Sequence, residues 1–178
     1  NCIVFPGNAF SATNMIQTNV SFTDNGVKKI FPSGGSGVFT YPVGSGGKYT
    51  PVVFNISANA NNTGGITVKP AAEFHPSIQE DSESPLTEIV DNSNVLQYYW
   101  TVLSDGISGF NATATMTYDA TDVRVTSGNT EANYIAARLL RDGSGLWNKP
   151  YGTIDAGTNT LTFTFAGVDA DIEGDYTA

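Results

Sequence analysis

Apolar or aromatic residues alternate with small polar residues in several short stretches of this chain. The stretches 98–103, 112–118, 134–140 and 160–165 show this pattern most clearly. Because successive side chains of a β-strand point to opposite faces, a period of two predicts strands with one buried and one exposed face. These stretches therefore predict four strands of a half-buried sheet.

The last of these stretches predicts which side chains enter the core. Leu161, Phe163 and Phe165 share one face, and threonines alternate with them on the other face. A shift of one residue in strand register would expose three large apolar groups, so the register is strongly specified. We expect these three residues in the core, together with Trp100, which stands among other large residues.

Turn-forming residues divide the chain into short segments. The pair Asn25-Gly26 is the strongest local hairpin signal, and it separates the apolar stretches 15–22 and 27–31. The glycine-rich stretch 32–37 predicts a loop. Only 85–90, which begins with a proline, predicts a turn of helix.

Short strands punctuated by turns, without helical periodicity between them, predict the fold class. About nine such segments indicate an all-β fold, an antiparallel β-sandwich of immunoglobulin-like topology. Residues 37–178 are predicted to form the sandwich domain. Residues 1–36 are predicted to be a strand-rich lead-in that packs on the sandwich or extends it.

Composition and charge narrow the range of partners. The chain has 178 residues, of which only 14% are charged, and its formal net charge is −9. This acidity repels polyanions, so we expect no binding to nucleic acid. The length fits one large β domain.

The cysteine count and the length of the apolar runs bear on disulfide bonds and on membrane spans. Cys2 is the only cysteine, so the sequence offers no internal disulfide. There is no apolar run of about 18 residues, so we expect no membrane span. Because apolar residues run to both ends of the sequence, we expect a segment of a longer chain with neighbouring domains.

Candidate acid–base residues give no catalytic pattern. His75 is the single histidine, and its neighbours Glu73 and Pro76 match no known arrangement, so a surface or loop-anchoring role is favoured. Acidic residues such as Asp105 and Asp142 stand in turns, where they cap the local backbone. We therefore expect no catalytic residues, no organic cofactor and no enzymatic activity.

An acidic stretch near the end of the sequence could bind a metal. Asp169, Asp171, Glu173 and Asp175 alternate with other residues as oxygen ligands do in the first half of a calcium loop. The distal glutamate of an EF-hand has no counterpart here. The prediction is a calcium site in a β-protein loop, and the alternative is a solvated acidic turn.

Exposed aromatic residues would suit a sugar-binding surface, because flat apolar rings stack on the C–H face of a pyranose. Trp147 and Tyr151 flank a probable loop and could be exposed together. They are the candidate carbohydrate-binding residues. The alternative for Trp147 is that it folds back over the end of the sandwich.

Several segments in a fixed order resemble a known family. They are 39–52, 99–102, 109–118, 134–138 and 174–178. Together they resemble a recurring β-sandwich module of large secreted and cell-surface proteins of Bacteroidetes, found near type IX sorting domains. The resemblance covers residues 39–178 and implies an extracellular, surface-attached location, with no chemistry attached to it.

These observations favour a structural or interaction module, a spacer or an adhesion domain of a larger extracellular protein. The alternative is a carbohydrate-binding module of a polysaccharide-degrading enzyme, whose partner would be a polysaccharide. The two hypotheses differ in what they require of Trp147.

Overall fold

The architecture is that of a computed structural model of the chain. The structure describes residues 9–21, 23–58, 62–78, 93–126, 128–166 and 172–178. The helical turn expected at 85–90 lies outside the described residues.

Fourteen strands and two short 3-10 turns, Ala120–Asp122 and Glu131–Asn133, make up the described structure. The strands are β1 Ile16–Gln17, β2 Val27–Phe31, β3 Gly37–Tyr41, β4 Val43–Ser45, β5 Lys48–Tyr49, β6 Val52–Ala58, β7 Gly64–Ala71, β8 Tyr99–Asp105, β9 Asn111–Thr117, β10 Ala137–Leu140, β11 Trp147–Asn148, β12 Thr153–Asp155, β13 Thr160–Phe165 and β14 Gly174–Thr177.

Two antiparallel sheets form the layers of a sandwich. One has six strands in the order β11-β10-β14-β8-β7-β2, and the other has five in the order β12-β13-β9-β6-β3. Side chains from both sheets meet in one core, where the rings of Phe163 and Tyr176 lie 4.8 Å apart. The predicted all-β sandwich is therefore confirmed, while the immunoglobulin-like topology stays a prediction.

The period-two pattern correctly identifies the core face of β13. Leu161 and Phe163 are fully buried and Phe165 is 3% exposed, whereas Thr164 is exposed. Trp100 is also fully buried, as expected. The largest buried side chains are Trp100, Tyr41, Tyr98, Tyr176, Phe54, Phe110 and Phe163.

The expected Asn25-Gly26 hairpin is wrong. β2 pairs with β7 in the six-stranded sheet, and β1 pairs in parallel with β4 in a small third sheet. The carboxylate of Asp24 accepts hydrogen bonds from the backbone N–H groups of Asn19 and Gly26, so it fixes a local turn without pairing the flanking strands. Residues 27–31 thus extend the sandwich, and the boundary at residue 36 stays a prediction.

The predicted strand at 134–140 is shorter than expected. Glu131–Asn133 is a 3-10 turn, and the strand begins only at Ala137. Its Tyr134 instead stands in the connection, where its hydroxyl bonds to the backbone of Arg124. Among the described residues there is no helix long and apolar enough to cross a bilayer.

Candidate binding site around Trp147

A row of paired residues crosses the outer face of the six-stranded sheet. Trp147 pairs with Leu139, Leu139 with Asp175, and Asp175 with Thr101. Directly paired residues in adjacent strands have side chains on the same face of a sheet. The register therefore gathers residues from four strands on the face directed away from the core.

His75 lies in the connection after β7 and packs against the side chains of this row. The His75 ring packs edge-on against the rings of Tyr99 and Trp147, with centroid distances of 4.7 and 5.2 Å. Its Nε2 lies 3.3 Å from Asp175 Oδ2, and its Nδ1 accepts a hydrogen bond of 3.1 Å from the backbone N–H of Ser77. An acceptor Nδ1 places the ring hydrogen of the neutral imidazole on Nε2, where it is donated to Asp175.

Asp175 is the centre of a polar cluster, which we call the outer-face cluster and define as His75, Thr101, Arg141 and Asp175. The first two residues and Asp175 are buried, and Arg141 closes the cluster from the exposed side. Thr101 Oγ1 donates to Oδ1 of the carboxylate at 2.5 Å, and Arg141 Nη2 lies 3.1 Å from Oδ1 and 3.3 Å from Oδ2. Each carboxylate oxygen therefore has two polar partners.

The electrostatics of the cluster favour an ionised Asp175. Burial by itself would raise the pKa of this carboxyl, but the hydrogen bonds from His75 and Thr101 and the positive charge of Arg141 lower the pKa below its ordinary value. An ionised carboxylate with all its acceptor sites used is suited to hold the loop of His75 on the sheet. Sequence reasoning anticipated a loop-anchoring histidine, but it linked Asp175 to calcium.

The indole of Trp147 is held at its polar edge. Its Nε1–H donates a hydrogen bond of 2.9 Å to the carbonyl oxygen of Ser77, the residue whose N–H bonds to His75. The side chain is half-buried. The loop 75–77 therefore holds both the histidine and the tryptophan.

Trp147 also borders a cavity of about 280 Å³, which we call the Trp147 pocket. Ile78 and Asn94 lie on either side of the segment 79–92, which is outside the described residues. The described lining of the Trp147 pocket is Ile78, Asn94, Val95, Asn129, Asn133, Tyr134, Ile135, Ala137, Trp147, Lys149, Thr177 and Ala178.

Three asparagines of this lining form a chain of hydrogen bonds. Asn133 Nδ2 donates to Asn129 Oδ1 at 3.0 Å, and Asn129 Nδ2 donates to Asn94 Oδ1 at 3.2 Å. Asn94 Oδ1 also accepts from the backbone N–H and the hydroxyl of Thr126. These bonds fix the orientation of the three amides.

Tyr134 is likewise fixed in the wall of the Trp147 pocket. Its hydroxyl donates to the carbonyl oxygen of Arg124 at 2.7 Å and accepts from the N–H of Arg124 at 2.8 Å. Burial raises the pKa of this phenol. Sequence reasoning placed Tyr134 in a strand and missed its role here, although the preceding run of polar residues was a signal for a turn.

Tyr151 is not part of the Trp147 pocket. Its ring packs on the core side of the sheet, 6.0 Å from Phe163, and its hydroxyl accepts a hydrogen bond from Arg138 Nη1 at 2.9 Å. The guanidinium of Arg138 also lies 5.1 Å from the ring centroid. The structure therefore does not bring the two predicted sugar-binding aromatics to one surface, because Tyr151 supports the core beneath the sheet while Trp147 lies above it.

The four predicted calcium ligands are not gathered in the described structure. Asp169 and Asp171 lie outside the described residues. Glu173 Oε1 accepts hydrogen bonds from the N–H and hydroxyl of Ser104, at 3.0 and 2.9 Å, and Asp175 belongs to the outer-face cluster. Within the described ranges there is no group of three or more His, Cys, Asp or Glu side chains arranged to hold a metal. The calcium site stays a prediction.

A second buried carboxylate lies away from the Trp147 pocket. Asp122, in the first 3-10 turn, is 2% exposed and forms an ion pair with Lys48 of β5. Burial raises the pKa of Asp122, although Lys48 acts in the opposite direction. In the described part of the chain, Asp122 Oδ2 has no hydrogen-bond partner. This pair ties a hairpin to the turn after β9.

Comparison of the chain with family models, curated proteins and solved structures gave no match in any of the three.

Proposed function

We propose that this chain is a non-catalytic structural and interaction module, a spacer or adhesion domain of a larger extracellular protein. One observation carries the proposal: the only histidine of the chain is bonded at both ring nitrogens, to Ser77 N–H and to the Asp175 carboxylate. A general base needs a ring nitrogen within reach of its substrate. The bonding of His75 supports an anchoring role.

The packing of the sandwich core supports a spacer role as well. Its two sheets share a core of large aromatic side chains, among them Trp100, Tyr98, Phe54 and Phe163. Burial of such large rings contributes much of the stability of a core, which suits a spacer domain. The extracellular setting rests on the resemblance to secreted Bacteroidetes modules.

Activity screening tests this proposal directly. The purified protein is incubated with polysaccharides, chromogenic glycosides, esters and peptides, and with matched samples of His75→Asn and Asp175→Asn. We expect the same background rate in all three proteins. Turnover by the parent protein that disappears in either variant would overturn the proposal.

Carbohydrate binding is the second candidate function. It is favoured by one observation, the position of Trp147 beside a cavity that also contains the fixed amides of Asn94, Asn129 and Asn133. Protein sites for sugars combine an aromatic face with hydrogen-bonding groups for the hydroxyls.

A further inference from the structure

We propose that the Trp147 pocket binds one neutral pyranose residue of a glycan. This inference rests on the proposed interaction role and gives it a ligand class. The apolar part of the wall includes the half-buried rings of Trp147 and Tyr134 and the side chain of Ile135, which is 56% exposed at the surface. A pyranose presents patches of C–H groups, which gain from leaving water against such a surface.

The aromatic part of the wall is already ordered. The N–H of Trp147 bonds to Ser77, and the hydroxyl of Tyr134 makes two bonds to the backbone of Arg124. Both polar edges are thus used within the protein, and what the rings offer to a ligand is apolar surface. Ordering the wall in advance lowers the entropy cost of binding.

The amide chain supplies the polar half of the recognition. Asn133 Oδ1 is an acceptor, and Asn94 Nδ2 is a donor, and neither atom has a protein partner within the described ranges. A sugar hydroxyl donates one hydrogen bond and accepts others, so neighbouring amide donors and acceptors complement it. The amides are also uncharged, as suits a neutral ligand.

Charge and size narrow the ligand further. The whole chain carries a net charge of −9, which repels sulfated and uronic-acid glycans, although the one charged side chain in the described lining, Lys149, is positive. A cavity of about 280 Å³ lies at the lower end of the range for small-molecule sites. It holds a single ring, so we expect recognition of one residue rather than of a long chain segment.

A glycan array followed by calorimetry tests the inference. The array presents neutral tetrasaccharides of glucose, xylose, mannose and N-acetylglucosamine beside sulfated and uronic-acid glycans. We expect binding to at least one neutral glycan. In calorimetry with that glycan, Trp147→Ala should weaken binding at least about tenfold, as expected for loss of a central aromatic contact.

Matched variants separate binding from folding. Asn133 is exposed, so Asn133→Ala should weaken binding about fivefold without changing Tm. Asn55→Ala, at an exposed position of β6 in the other sheet, should bind as the parent does. If Trp147→Ala fails to fold, Asn133→Ala decides the matter.

Three results would overturn the inference: no neutral glycan binds, only acidic glycans bind, or binding is unchanged in Asn133→Ala. Each of these leaves the activity screen for a non-catalytic module unaffected. Conversely, turnover in that screen would reject the non-catalytic role without deciding whether the Trp147 pocket holds a sugar.

Discussion

His75 and Asp175, 100 residues apart in the sequence, are joined by a hydrogen bond across the outer face of the six-stranded sheet. Both residues are buried there, at 4% and 6% exposure. A buried carboxylate is tolerated when charged or hydrogen-bonding partners satisfy it, and Thr101 and Arg141 complete that set. The loop that carries His75 is thereby attached to the strand that carries Asp175.

Replacing the central carboxylate should loosen this attachment. In Asp175→Asn one acceptor oxygen becomes an amide N–H₂ group, which faces the donors of His75, Thr101 or Arg141. We expect a loss of about 2 to 3 kcal/mol in the free energy of unfolding at pH 7. Urea denaturation measures it. The control Asp105→Asn, at an exposed ion pair with Lys28, should leave the midpoint nearly unchanged; an equal loss in both variants would contradict the account.

Asp175 should also make the free energy of unfolding depend on pH in the acidic range. The folded-state pKa of Asp175 is lowered, so the folded protein binds fewer protons there than the unfolded chain. Its contribution is fully present above the unfolded pKa and is lost as pH falls through the folded pKa. We expect the stability difference between the parent and Asp175→Asn to shrink on acidification, as measured by urea titrations from pH 7 down to pH 3. A constant difference over that range would argue against the linkage.

The ion pair between Lys48 and the buried carboxylate of Asp122 should stabilise the fold in a different way, because here burial raises the pKa of the carboxyl. Lys48→Ala leaves a buried carboxylate whose pKa burial already raises, so the variant should lose about 3 kcal/mol at pH 7. The double variant Lys48→Ala with Asp122→Asn removes the stranded charge, and we expect it to recover much of that loss. Chemical denaturation of the four proteins of this cycle provides the measurement. A double variant as unstable as Lys48→Ala alone would show that the charge is not the cause.

Strand β13 allows a test of core packing with a neighbour as the control. Phe163 is fully buried and packs against Tyr176, while Thr164 is exposed. Phe163→Ala should cost about 3 to 5 kcal/mol by creating a cavity, and Thr164→Ala should change stability by about 0.5 kcal/mol or less. Thermal and urea unfolding check both values, and similar losses in the two variants would refute the assigned face.

Local patterns predicted the local features of this fold well. The alternation in β13 identified Leu161, Phe163 and Phe165 as core residues, because one face of a strand is either buried or exposed throughout. The Asn25-Gly26 pair failed as a hairpin signal because the side chain of Asp24 satisfies the turn by itself. Turn-forming residues indicate where the chain bends, but they do not determine which strands pair after the bend.

The candidate site was harder to predict because it depends on long-range pairing. The contact between His75 and Asp175 requires the pairing of β7 with β8 and of β8 with β14, which no short motif encodes. Trp147 was identified as a candidate from its residue type and its place beside a probable loop. Tyr151 was chosen for the same reasons, but its side chain lies on the opposite face of the sheet. Sequence proximity alone could not separate the two faces.

The most direct test of the central claim is the tautomer of His75, measured by long-range ¹H–¹⁵N correlation spectroscopy at neutral pH. The chain has one histidine, so the spectrum needs no assignment. We predict a single neutral form with the hydrogen on Nε2, because Ser77 N–H occupies Nδ1 and Asp175 accepts from Nε2. In Asp175→Asn the preference should weaken. A spectrum of the parent protein with the hydrogen on Nδ1, or with rapid averaging of the two tautomers, would contradict an anchored histidine and the non-catalytic role built on it.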